Sequence, residues 1–165
     1  MRAPPPIFEV LVPTTHTMSL KDRITEDMKA AMRAKDSERL GTIRMIQAGI
    51  KQREVDERIT LDDAQVLSVL EKMIKMRKES VAQFTTAGRT DLVDKETREI
   101  ELLQSYMPAK LSDAELDAII AAAVAESGAT TVKDMGKAMN IIKQKAQGRA
   151  DMAVVGARLK GKLGG

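Results

Sequence analysis

Cysteine is absent from this 165-residue chain, tryptophan is absent, histidine occurs once, and aromatic residues make up only 2%. Without cysteine there is no disulfide framework, no thiolate zinc site and no cysteine nucleophile, and a reducing compartment fits. The single histidine, His16, lies in a proline-rich stretch, which leaves serines such as Ser80 or Ser105 without a base for a nucleophilic triad. No apolar run approaches the length of a membrane span, and 31% of the residues are charged. These absences lead to the expectation of a cytoplasmic protein with no membrane partner.

What is present favours helices. The core has to be built from Leu, Ile, Val, Met and Ala, with 11 methionines and 43% apolar residues in all. Four of the five prolines precede Met18, and only Pro108 follows it. Residues 1–17 read as a disordered arm or an extension upstream of a true start at Met18. A secretory signal does not fit, because Glu9 and Pro13 interrupt the apolar stretch from Ile7 to Val12.

From Met18 onward the apolar spacing predicts seven helices and no strand. Ser19 caps the first, with Leu20, Ile24, Met28 and Met32 on its inner face. Asp36 or Ser37 opens the second, with Leu40, Ile43, Ile46 and Ile50. A capping box from Thr60 to Asp63 opens the third, which carries Val66, Val69, Leu70, Met73 and Met76 and stops at Gly88. Thr90 caps the fourth, whose outer face pairs Asp91 with Lys95 and Asp94 with Arg98. Tyr106-Met107-Pro108 ends it, since proline disfavours helix in the residue before it.

Beyond residues 109–111, the expected hinge, Ser112 and Glu115 form a capping box for a fifth helix. A sixth runs from about Thr131 to Gly148 with Val132, Met135, Met139 and Ile142 inward, and a seventh from about Asp151 buries Val154, Val155, Leu159 and Leu163. The expected fold is all-α, with a four-helix lobe over residues 18–108 and a compact three-helix bundle over 112–165.

Charge is unevenly distributed. Residues 18–111 are nearly balanced, with 18 basic and 17 acidic side chains. Residues 112–129 carry four acidic side chains (Asp113, Glu115, Asp117 and Glu126) and no basic one. Residues 130–165 carry eight basic ones, Lys133, Lys137, Lys143, Lys145, Arg149, Arg158, Lys160 and Lys162, against Asp134 and Asp151. Two readings stand: a solvated helix surface, or a surface for phosphate. The second gains from Gly136, Gly148 and Gly156, where backbone can approach backbone, and from the helix amides that follow Gly148-Arg149-Ala150. So few aromatics leave little for base stacking, which favours a folded RNA read by shape and phosphate.

No catalytic constellation survives scrutiny. Gly156-Ala157-Arg158-Leu159-Lys160-Gly161-Lys162-Leu163 imitates a phosphate-binding loop, but Leu163 stands where Ser or Thr would hold magnesium and no strand precedes it. Glu96, Glu99 and Glu101 lack the histidines of a helical di-metal site and read as helix surface. Arg77 with Lys72, Lys75 and Lys78 reads as a solvated face beside Glu71 and Glu79. No cofactor is expected.

Several strings together resemble the GatB/YqeY family in its small stand-alone form. They are Arg39-Leu40-Gly41-Thr42-Ile43-Arg44, Arg77-Lys78-Glu79-Ser80, Ala87-Gly88-Arg89-Thr90-Asp91-Leu92-Val93, Tyr106-Met107-Pro108, Asp134-Met135-Gly136-Lys137-Ala138-Met139 and Gly148-Arg149-Ala150-Asp151. Gly136, Met139, Gly148, Ala150 and Asp151 are the family-motif positions of the second lobe, and Gly156 stands where the family more often has asparagine. The resemblance implies kinship with the tail of the B subunit of the glutamine-dependent Glu-tRNA/Asp-tRNA amidotransferase, a carbon-nitrogen ligase in which the tail helps grip tRNA. It therefore implies tRNA as partner, held by the eight basic residues of 130–165, with no catalysis by this chain alone. The alternative is an adaptor docking on an amidotransferase, a synthetase or another enzyme of tRNA-dependent amidation.

Overall fold

The computed structural model describes residues 18–164, so the expected arm over residues 1–17, with His16, lies outside the described residues. It is all-α: α1 Leu20–Arg33, α2 Ser37–Glu57, α3 Asp63–Thr86, α4 Thr90–Gln104, α5 Asp113–Ser127, α6 Met135–Ala146 and α7 Met152–Lys162, with a single 3-10 turn Val132–Asp134 leading into α6.

The helix starts follow local hydrogen-bond chemistry. Ser19 accepts from the Asp22 amide at 3.1 Å and Asp36 from the Arg39 amide at 3.0 Å, each filling an orphan donor of the first turn. Ser112 and Glu115 form the expected reciprocal capping box, at 3.2 and 2.8 Å. The start of α3 differs from expectation. Its cap is Asp62, boxed with Gln65 rather than Thr60 with Asp63, and this places buried Leu61 and Val66 at the two positions of a hydrophobic staple. Asp63 is thereby released to accept the Leu20 amide at 2.9 Å, tying the start of α3 to the start of α1. Thr90 does not cap α4. It is the first helical residue, and Arg89 precedes it with no side-chain capping bond.

Buried residues gather in two clusters. The first contains Ile24, Ile43, Ile46, Val66, Leu70, Leu103 and Tyr106, drawn from α1 to α4 and the turn after α4. The second contains Leu116, Ile120, Ala138, Ile142, Val155 and Leu159, drawn from α5, α6 and α7. Four residues expected inside are exposed: Met32, Met76, Val132 and Val154. A step of four residues advances about 400°, so a strict every-fourth stripe drifts by about 40° per step. Met32 has drifted off the α1 face that Leu20 begins, and Ala31 is buried in its stead. In α3 the error has the other sign: the step of three from Met73 to Met76 falls about 60° short of a full turn, so Met76 turns outward and Arg77, one residue on, turns inward. Val132 precedes α6 in the 3-10 turn, where the expected continuous helix is broken.

The turn after α4 is pinned to α1. The Tyr106 hydroxyl donates to Asp27 at 2.7 Å, Arg23 lies 5.0 Å from the Tyr106 ring centre, and the Arg23 guanidinium donates to the Ser105 carbonyl at 3.2 Å. Burial, with the Asp27 carboxylate beside it, holds the Tyr106 pKa above its ordinary value, so the hydroxyl remains a donor.

The link from α6 to α7 closes over the segment expected as a hinge. The Leu111 amide donates to the Arg149 carbonyl at 2.8 Å, and Arg149 Nε donates to the Ala109 carbonyl at 3.1 Å. Gly148 has φ +72°, and a Cβ there would lie 3.0 Å from Met107 Cε and 3.3 Å from Pro108 Cδ. The substitution Gly148→Ala is therefore expected to cost about 1–2 kcal/mol for the left-handed backbone alone, read as a lower urea midpoint and faster hydrogen exchange at the Leu111 amide. Gly136 has open space around it and an ordinary helical φ. There the same measurement should show Gly136→Ala raising stability by about 0.5–1 kcal/mol.

Candidate nucleic-acid interface

The eight basic side chains of residues 130–165 do not share one surface, because helix geometry and ion pairing sort them. Arg158 on α7 turns toward α5, where its guanidinium reaches Asp113 at 2.6 Å and Asp117 at 2.9 Å. Those carboxylates raise the Arg158 pKa, and with Lys162 they line a groove floored by Ile120. A phosphate entering this groove meets two aspartates as well as two cations. Lys145 pairs with Glu126 of α5 at 3.2 Å. Arg149 is half-buried and holds the Ala109 carbonyl, so it clasps the linker rather than facing solvent. Lys160 lies about 160° around α7 from Arg158 at about 100° per residue.

The α7 start is also different from the expected anion site. Asp151 caps it and accepts from the Ala153 amide at 2.8 Å, so a carboxylate of the chain itself already sits where a phosphate would bind. Ala150, at the end of the α6–α7 link, is half-buried against the second core cluster. Gly156 meets only Met135 and Met139 side chains, at 3.8 and 4.0 Å from an added Cβ, so it is a packing position and not a close backbone approach. Met139 packs on the same cluster.

One helix face emerges with no carboxylate on it. At about 100° per residue, Gly136, Lys137, Asn140, Lys143, Gln144 and Gln147 fall within about a third of the circumference of α6 and its C-terminal cap. Buried Ala138, Ile142 and Ala146 occupy the opposite side. Lys133 leads into this face from the 3-10 turn, and Asp134 is turned away, accepting from the Thr130 amide at 3.4 Å. Lys133, Lys137, Asn140, Lys143 and Gln144 are all exposed. Among the described residues the three lysines make no ion pair or hydrogen bond. Asn140 and Gln144 are uncharged and leave no mark on a charge count, although their spacing from Lys137 by three and seven residues places them beside it.

The N-terminal lobe holds a second polar feature that departs from expectation. Arg77 and Glu99, read as helix surface, are buried and joined at 2.9 Å, with Glu96 at 3.8 Å and the Met45 sulfur at 3.5 Å from the guanidinium. The outer face of α4 is paired differently too: Arg89 takes Asp91 at 3.1 Å, and Arg98 takes Glu38 of α2 at 2.7 Å. Among the described residues no three metal-ligating side chains come together, and no helix is long and apolar enough to cross a membrane.

Residues 21–163 match the family described as Yqey-like protein. Curated relatives carry the name "Altered inheritance of mitochondria protein 41, mitochondrial". The Kluyveromyces lactis protein is 41% identical over 87 residues, which covers 52% of this chain and 47% of that protein. The Lachancea thermotolerans protein is 39% identical over 98 residues, covering 58% and 52%. The Pyrenophora tritici-repentis protein is 34% identical over 130 residues, covering 75% and 71%. The chain thus spans about half the length of the first two relatives. Their names overturn the expectation of a cytoplasmic location, which rested only on missing cysteine and missing membrane spans, features that a mitochondrial protein can share.

Proposed function

The chain belongs to the YqeY-like protein family, and on that footing we propose that its C-terminal lobe holds structured RNA of the tRNA class, with the outward face of α6 as the contact surface. The observation that carries this reading is the carboxylate-free face of Lys133, Lys137, Asn140, Lys143 and Gln144. Three ammonium groups with no partner among the described residues suit phosphate oxygens, and the amide side chains suit 2′-hydroxyls and base edges. A helix presenting such groups suits the wide, shallow minor groove of A-form RNA, where recognition is by shape and backbone.

In this reading Arg158, Lys145 and Arg149 stabilise the lobe and are not primary RNA contacts, while Lys160 and Lys162 add to the long-range field. The resemblance to the amidotransferase tail supplies the tRNA class. Covalent amidation would then belong to a partner, with this chain as the part that holds the RNA. The relatives' names direct the search for that RNA to mitochondrial transcripts.

The test is a fluorescence titration of the full chain with bulk tRNA at low and physiological salt. Saturable binding that weakens steeply with salt is expected, because phosphate contacts release counterions. Absence of binding at both salts contradicts the proposal. The adaptor reading has its own supporting observation: Met45 and Met76 are 51% and 58% exposed on the N-terminal lobe. A pull-down with nuclease treatment separates the two readings, since an adaptor keeps its protein partners after the RNA is destroyed.

A further inference from the structure

The polar face of α6 does not end with its helix. Gln147, on the same face as Asn140 and Lys143, donates from Nε2 to the Ala64 carbonyl of α3 at 3.0 Å. Ala64 begins a stripe on α3 that continues through Ser68, Glu71, Lys72 and Lys75, all within about a third of the circumference at about 100° per residue. That stripe lies opposite buried Val66, Leu70, Ile74 and Arg77. The join therefore brings the end of the α6 face to the start of the α3 stripe, at the junction of the two core clusters.

Two carboxylates lie on this side of α3: Glu79, exposed about one turn beyond Lys75, and Glu71, which stands beside the turn between the lobes. Glu71 is half-buried with the Gly148 amide beside it, and burial raises its pKa while that amide lowers it. Lys72 and Lys75 are exposed and, among the described residues, make neither an ion pair nor a hydrogen bond. Lys143 lies about one helical turn before Gln147, and Lys75 about one turn beyond Glu71. A ribose-phosphate backbone that passes from Lys143 over the Gln147–Ala64 contact and on along α3 meets Lys72 and Lys75 next.

We propose that Lys72 and Lys75 of α3 extend the RNA surface of α6 across the Gln147–Ala64 join, so that one RNA duplex is gripped by both lobes at once. This rests on the α6 reading above and adds to it a second-lobe footprint. It also assigns the Gln147–Gly148–Arg149 turn a role beyond closing the linker, since this turn sets the register between the two cationic stripes.

The experiment uses the full chain and bulk tRNA, and compares the wild type with Lys72→Ala/Lys75→Ala and with Lys51→Ala/Lys95→Ala. The second pair removes two exposed lysines of α2 and α4, off the stripe, at equal cost in net charge. Circular dichroism checks that each variant is folded. The α3 pair is expected to weaken binding several-fold and to lower the slope of log affinity against log salt by about 1–2, while the α2/α4 pair changes neither. If the α3 pair binds like wild type while α6 lysine variants lose affinity, the second footprint is wrong and the α6 reading stands. Equal losses from both lysine pairs reduce the effect to general charge and overturn the footprint. If the wild type does not bind at all, the α6 reading falls, and the footprint with it.

Discussion

Replacing Arg77 with alanine is expected to destabilise the N-terminal lobe by about 3–5 kcal/mol, because the change leaves the Glu99 carboxylate buried without its cation. The side chains of Arg77 and Glu99 keep only 10% and 11% of their exposure, and the 2.9 Å contact joins α3 to α4. The size of the effect comes from the stranded charge more than from the pair itself. Exchanging both partners for apolar residues, as in Arg77→Met/Glu99→Leu, is accordingly expected to restore most of the loss. Urea unfolding of the two single variants and the double variant gives the coupling directly. A double variant as unstable as Arg77→Ala would show that the position needs a charge for another reason, such as a ligand.

The second large effect concerns binding. Lys133→Ala/Lys137→Ala/Lys143→Ala removes three exposed cations that make no ion pair or hydrogen bond among the described residues, so the fold and its unfolding midpoint should stay close to wild type. Affinity for bulk tRNA is expected to fall on the order of tenfold to a hundredfold at physiological salt, with about one unit of salt slope lost per phosphate contact. The loss should be similar for unrelated tRNAs, because phosphates position a complex without reading sequence. Neutralising Arg158 alone should do much less to RNA binding, since Asp113 and Asp117 already claim its guanidinium.

The all-α fold was legible because helical periodicity, caps and glycine stops agree along the chain. Ser19, Asp36, Ser112 and Asp151 all serve as caps. Sequence pattern and structure part where two local rules compete. At the start of α3 both Thr60 with Asp63 and Asp62 with Gln65 have the spacing of a capping box, and burial of Leu61 decided between them. At Met32 an every-fourth count overran the true period of 3.6, and at Met76 a step of three from Met73 fell short of it.

The buried ion pair was legible in principle. Arg77 follows Val66 by 11 residues, close to three full turns, and Glu96 and Glu99 fit the spacing of Leu92 and Leu103. Opposite charges on two apolar stripes are the signal of a pair buried between helices, and residue type alone hid it. The candidate interface was legible only as a charge excess. Which lysines remain available depends on the acidic α5 packing beside α6 and α7, and sequence totals cannot assign Arg158 to Asp113 or Lys145 to Glu126.

Lysine footprinting of the full chain with and without saturating tRNA reports each ammonium group of the proposed α6 surface separately. Binding through α6 should protect Lys133, Lys137 and Lys143 on bound chains and leave Lys51 and Lys95 modified equally in both states. Unchanged modification of the three α6 lysines under saturating tRNA would contradict it.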